Sequence, residues 1–421
     1  MSDTKRPVEG EVRLQKAHRA QLELVPTNID DLIGADHPAR AIWSVVEKLD
    51  VSGFVQDCKS RGQNAGRPAI DPAILVTLWI YAASQGVGSA RELARLAKDH
   101  AAYRWIRGQV EVSDHTLSDF RVGHGSALDA LLEKILASLM HHDLLTLERT
   151  TQDGLKVRAS AGSSSFHRKP SLDRCRQEAR EQLARLKKEV ESAPQDAGRK
   201  ATQREAAARD RLARIDRAIA EIPTVAELKK RRNPADARAS TTDPEARVMR
   251  MADGGFRPAY NIQLVTDTKS RVVAGVRVTN KPADWGLMQS SLADLKRRTG
   301  RAPRQHLVDG GYSSMKDIEE LAHRGIEVFA PLQAPKHKCR NPHEPRKEES
   351  GVIGEWRRRM GSQKGKRIYK LRASTAETVN ADLRCFRGLD RFQVRTLPKV
   401  TCIVLWSVIA YDLMRLFSLT T

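Results

Sequence analysis

Residues 259–279, AYNIQLVTDTKSRVVAGVRVT, constrain the fold of this chain more than any other stretch. Two runs of alternating apolar and polar residues flank Asp267, Thr268, Lys269 and Ser270, and strand-forming runs around such turn residues specify an antiparallel hairpin. A lone hairpin is marginal in water, so it must join further strands and bury a face. Strand-like texture recurs in TLERTTQDGLKVRAS (146–160), in the short run HLVD that ends at Asp309, and in IEVFAP (326–331). Helical periodicity separates or follows these runs at about 283–298, 314–323, 373–386 and 396–417. The expected fold class is therefore α/β, a mixed sheet with helices on its faces.

Two other textures surround this sheet. From about 36 to 145 the pattern is helical. GRPAIDPAILVTLWIYAASQG places Ile74, Leu75, Leu78, Trp79 and Ala82 on one apolar helical face, and Ser89 with Glu92 has the form of a capping box. Another short helix begins near Ser113, with Leu117 and Phe120 on one side. With Arg91, Arg95, Lys98, Arg104 and Arg107 nearby, this region reads either as a helix-turn-helix domain or as a plain bundle with a basic face. Between the first strand and the hairpin lies a basic, Ala-rich tract broken at Pro194 and Gly198, which suits a helical hairpin. The domain reading is a flexible arm at 1–35, a helical domain at 36–145, and an α/β domain at 146–421. Two insertions interrupt the α/β domain, a helical arm at 168–240 and a basic, turn-rich segment at 331–370.

The formal charge of +21, from 73 Lys and Arg against 52 Asp and Glu, favours a polyanionic partner through counterion release. The five cysteines show no CxxC spacing, which suits reduced thiols in a cytoplasmic protein. His337, Cys339 and His343 approach a zinc cluster but lack a second ligand pair. No signal-peptide core opens the chain, and the apolar stretch from Val400 to Tyr411 is shorter than the ~20 residues of a membrane span. It is read as a buried final helix, without a membrane role.

Three acids stand where chemistry could be carried. Displacement at a phosphodiester is slow because the anion repels an oxygen nucleophile, and two divalent cations ~3.5–4 Å apart relieve that repulsion. Mg²⁺ takes hard oxygen ligands, so carboxylates on rigid elements are needed. Asp153 lies in the first strand, and Asp309 ends a later one just before Gly310 and Gly311. Adjacent strands can unite side chains far apart in sequence. Glu377 and Arg384 are seven apart on a helix and so share a face, with Tyr369 and Arg372 just upstream. Taken singly, an Asp is more often a turn or cap residue, and on spacing alone such a helix is more often an amphipathic one with ordinary exposed charges.

The segment IYKLRASTAETVNADLR resembles the Tyr-Arg-Glu-Lys signature of insertion-sequence DDE transposases, with Tyr369, Arg372, Glu377 and Arg384 in its four places. The Arg-to-Glu gap is one residue longer than the commonest form, and Arg replaces the usual Lys. QDGLKVRASAGSSSFHRK resembles the first-Asp motif, LVDGGYSS the second, and RGLDRFQVRTLPKV the segment after the Glu. TTDPEARVMRMADGGFRPAYNIQLVTD and GRPAIDPAILVTLWIYA also have counterparts there. The chain most resembles the insertion sequence eleven-eighty-two family, within the insertion sequence four/five superfamily.

That resemblance implies a ribonuclease H-like sheet preceded by an all-α, helix-turn-helix-like DNA-binding domain. It implies that Asp153, Asp309 and Glu377 bind two Mg²⁺ or Mn²⁺ ions, and that Tyr369, Arg372 and Arg384 contact DNA phosphates. The implied partners are double-stranded DNA, as inverted repeats and as target, and a second copy of the chain in the synaptic complex. The implied reaction is cleavage at the repeats followed by strand transfer, in the cytoplasm at the nucleoid. A catalytically silent DNA-binding protein on the same scaffold, or a ribonuclease H-like nuclease without joining activity, are the alternatives.

Overall fold

The computed structural model describes residues 28–56, 60, 68–192, 199–228, 233–332 and 341–420. Most of the expected N-terminal arm, the break at Pro194 and Gly198, and the pair His337 and Cys339 lie outside the described residues.

Among the described residues the N-terminal region holds six α-helices: α1 (Pro38–Lys48), α2 (Pro72–Ser84), α3 (Ala90–Asp99), α4 (Ala101–Arg107), α5 (Asp114–Gly123) and α6 (Gly125–His141). Their starts follow local chemistry. Asp71 caps α2 ahead of Pro72, Ser89 accepts from the Glu92 N–H at α3, and Ser113 accepts from the Thr116 N–H at α5. The single apolar face expected for α2 is corrected: every residue from Leu75 to Ser84 is buried, so α2 is a central helix with no solvated side.

The first strand, β1 (Arg149–Arg158), follows. The two-residue strands β2 (Phe166–His167) and β3 (Ala239–Ser240) pair at the base of an excursion. It is built from helices α7 (Lys169–Ser192) and α8 (Arg199–Leu228), which pack on each other over the small core of Leu172, Ala218 and Ala239. The chain then forms β4 (Arg247–Arg250), β5 (Phe256–Asp267), β6 (Val273–Thr279), α9 (Met288–Thr299), β7 (Gln305–Leu307), α10 (Met315–His323) and β8 (Glu327–Phe329). It closes with α11 (Gly351–Gly361), α12 (Gln363–Cys385) and α13 (Leu397–Thr420).

The main sheet runs β4-β5-β1-β7-β8, with β6 also paired to β5. β5 is antiparallel to β1, β4 and β6, whereas β7 is parallel to β1 and β8 to β7. The hairpin read from residues 259–279 is β5–β6, and Asp267 closes its turn by accepting from the Lys269 and Ser270 N–H groups. Neighbouring residues of a strand face opposite ways. Gln152 donates to Ser291 of α9, while Asp153 accepts from Asn380 of α12, so β1 carries a helix on each face.

Several expected boundaries move. The helix placed at 283–298 starts at Met288, because residues around Asp284 turn back onto β5. The helix placed at 373–386 begins at Gln363, capped by Ser362, and the segment read as turn-rich contains all of α11. Charged faces hid both helices from a reading by apolar periodicity. Helix α13 is long and apolar enough to cross a membrane, yet two-thirds of that window is buried within the protein, against α2, α5, α6 and β6. One apolar core thereby runs from the N-terminal helices into the sheet.

Candidate active site

β1 and β7 are bridged at Arg149–Gln305, Thr150–His306 and Thr151–Leu307, each pair 156 residues apart in sequence. Asp153 and Asp309 have the same separation (309 − 153 = 156) and so fall in the same register, two residues past the last bridged pair. β7 ends at Leu307, short of Asp309, yet paired strands lie ~4.8 Å apart and the charge of Asp309 acts on Asp153, so the two carboxyls are neighbours.

Asp309 is held by the turn it starts. It caps the short helical turn Gly310–Tyr312, its Oδ1 accepting from the Gly311 N–H at 2.8 Å. Neither glycine adopts positive φ. A Cβ at Gly311 would stand 3.0 Å from Asp309 Oδ1 and press on that carboxylate.

Asp153 lies in the middle of β1, its side chain 21% exposed. Oδ1 accepts from the Gly154 N–H at 3.0 Å, and Oδ2 from Asn380 Nδ2 at 2.9 Å. Arg372 Nη1 stands 3.7 Å from Oδ2, within ion-pair reach but too far for a hydrogen bond, and that nitrogen is buried without a hydrogen-bond acceptor. Burial raises the Asp153 pKa to about 6; Arg372 and the Gly154 N–H oppose the shift, and the charges of Asp309 and Asp284 add to it. Tyr369 is half-buried beside Arg372, its pKa raised chiefly by burial, and it too feels the charges of Asp309 and Asp153.

Asp153, Asp309, Tyr369 and Arg372 thus lie within electrostatic reach of one another. Glu377 does not touch the pair: it is exposed on α12, three residues before Asn380. Residues three apart on a helix are surface neighbours ~5–6 Å apart at Cβ, so Glu377 lies one turn from the Asn380 that bonds Asp153. Arg384 is half-buried two turns beyond it.

Two neighbours of the acids were not anticipated. Asn380 could have been found as the i+3 companion of Glu377. Asp284 could not, because its partners come from β5: Asn261 Nδ2 and Gln263 Nε2 each donate to its Oδ1 at 2.8 Å. A Cβ on Gly154 would lie 2.5 Å from that oxygen, so only glycine fits there.

A buried polar ladder lies on the other face of β1. Thr150 Oγ1 meets His306 Nδ1 at 2.9 Å, His306 Nε2 meets Gln152 Oε1 at 3.2 Å, and Gln152 and Tyr312 both donate to Gln263 Oε1. Burial lowers the His306 pKa to about 3, so the ring is neutral, accepting from Thr150 and donating to Gln152.

Among the described residues no three His, Cys, Asp or Glu side chains converge closely enough to enclose a metal ion. A carboxylate pair with oxygen donors only still suits Mg²⁺, which is commonly held by one or two carboxylates together with water and substrate phosphates. Of the five basic residues expected near the DNA face, Arg107 turns inward to the Ala97 and Val110 carbonyls. Arg91, Arg95, Lys98 and Arg104 are exposed, Arg95 pairing with Glu92 and Asp99 and Arg91 standing 3.9 Å from Asp114.

Residues 27–122 match the model of a transposase domain (DUF772), and residues 235–413 match that of a transposase DDE domain. The second match contains Asp309, Glu377 and Asn380; β1 with Asp153 lies outside both. No curated protein and no solved structure matches the chain. A transposase domain matched in front and a transposase DDE domain matched behind support a DDE transposase.

Proposed function

We propose that this chain cleaves DNA at the inverted repeats of its own element and joins the freed ends to target DNA, using Asp153, Asp309 and Glu377. The observation that carries the reading is that Asp153 and Asp309 both follow the paired stretch of β1 and β7 by two residues, with the charge of Asp309 acting on Asp153. The strand order, with β5 antiparallel and β7 parallel to β1, supports a ribonuclease H-like catalytic domain.

Asp153 and Asp309 would hold Mg²⁺ or Mn²⁺, two ions in all, with Glu377 supplying a third carboxylate from α12. Such ions, when bound, lower the pKa of the attacking water or 3′-hydroxyl and offset charge on the leaving oxygen. Arg372 presents a buried donor with no acceptor of its own, which suits a phosphate oxygen better than a structural role. Tyr369 borders the same space, and Arg384 lies farther along α12, where it can take the next phosphate. The exposed Arg91 and Arg104 suit the backbone of the repeat DNA. Two ends must be paired, so the active form is at least a dimer.

The test is cleavage of a supercoiled plasmid carrying the element's ends, with Mg²⁺ or Mn²⁺. Nicks at the ends and joined products, both lost in Asp153→Ala and in chelator, are expected. End binding without nicking would leave a silent DNA-binding protein, and nicking without joined products a nuclease.

A further inference from the structure

Asp153 is gripped at both oxygens, and one grip comes from outside its own strand. Gly154 N–H donates to Oδ1 at 3.0 Å, while Asn380 Nδ2 reaches across from α12 to Oδ2 at 2.9 Å. An ionised carboxylate offers about four lone-pair positions, so these two donors fix its plane and leave acceptor positions free. Arg372, on the same helix, supplies charge to Oδ2 but stands too far for a hydrogen bond. Asn380 is therefore the side chain that sets where Oδ2 points. It also ties α12, which carries Glu377 one turn earlier, to the strand that carries Asp153.

We propose that Asn380 is a positioning residue, whose carboxamide holds the Asp153 carboxylate in the orientation that receives a divalent cation. This rests on the reading of Asp153 as a metal-binding acid. Asn380 touches neither the ion nor DNA; it acts through Asp153. Groups that orient a first ligand in this way change metal affinity by about 10- to 100-fold when removed. The carboxamide is neutral, so it orients Asp153 without the charge neutralisation that a Lys at the same place would bring.

The test uses the full chain without DNA and reads Mn²⁺ binding by electron paramagnetic resonance, with thermal unfolding in chelator alongside. Asn380→Leu keeps the volume and suits a helix better than Asn, but it removes the donor. Its Mn²⁺ affinity should fall at least about tenfold with no loss of melting temperature, and Asn380→Gln, which keeps a carboxamide, should recover part of it. Asp153→Asn is measured in parallel. If Asp153→Asn loses Mn²⁺ and Asn380→Leu binds it within twofold of wild type, the positioning role is overturned while the metal reading stands. If Asp153→Asn also binds Mn²⁺ normally, both fall together.

Discussion

Asp153 and Asp309 each stand two residues beyond the last bridged pair of β1 and β7, at the separation shared by the three bridged pairs before them, and the charge of Asp309 acts on Asp153. Their meeting is a property of strand pairing rather than of either local segment. A slip of one residue between these strands would turn one of the two acids to the opposite face.

That register has an identifiable lock. His306 is fully buried and neutral, and it bonds its own register partner Thr150 and the neighbouring Gln152. His306→Phe would leave Thr150 Oγ1 and Gln152 Oε1 without their partner, which costs about 1–3 kcal/mol. Denaturant unfolding should show that loss, and end cleavage should fall more than the folded fraction does. Cleavage that merely tracks the folded fraction would deny His306 any part in aligning the acids.

The state of Asp153 makes stability depend on pH. Its pKa of about 6 lies above the unfolded value of about 3.9, so the neutral form is favoured in the folded state. This contribution is complete below about pH 4 and is lost as pH rises through about 6. In chelator, wild type should therefore lose melting temperature across that window relative to Asp153→Asn. Divalent cation binding, which needs the ionised form, should strengthen over the same range. Parallel melting profiles for the two proteins would show that burial does not govern Asp153.

Two further acids lie near Asp153, one on each side of β1. Glu377 is exposed on α12, whereas Asp284 is clamped by Asn261 and Gln263 and its charge reaches Asp153. Glu377→Gln should reduce end cleavage by about a hundredfold or more while end binding persists, the scale of losing several kcal/mol of transition-state stabilisation. Asp284→Asn keeps the accepting Oδ1 and should cost far less. The reverse ranking in a nicking assay would move the third carboxylate from α12 to the turn before α9.

Asp412 offers a check on the core. It is fully buried in α13, accepts the Val273 N–H at 2.9 Å, and burial raises its pKa well above the usual carboxylate range. Its neutral form stabilises the fold at low pH, and that stability is lost as pH rises through the raised pKa. Asp412→Asn keeps the acceptor and cannot ionise, so its melting temperature should gain on wild type as pH is raised toward 9. A constant difference between the two would mean that Asp412 stays in one charge state throughout.

The sequence by itself determined the elements whose signals are local. The β5–β6 hairpin follows from alternation around Asp267–Ser270, and the starts of α2, α3 and α5 follow from Asp71, Ser89 and Ser113, because turns and caps are made by neighbours in the chain. The acids were legible as residue types at the ends and middles of strands. Their geometry was not. Only tertiary structure aligned Asp153 with Asp309, left Glu377 in solvent, brought Asn380 onto Asp153, and carried Asp284 against Gly154. Helix α2, read as one-faced, became central because α13 returned from the far end of the chain to cover it. Register and helix docking are set by cooperative burial between distant segments, and periodicity within one segment carries no record of which partner will cover it.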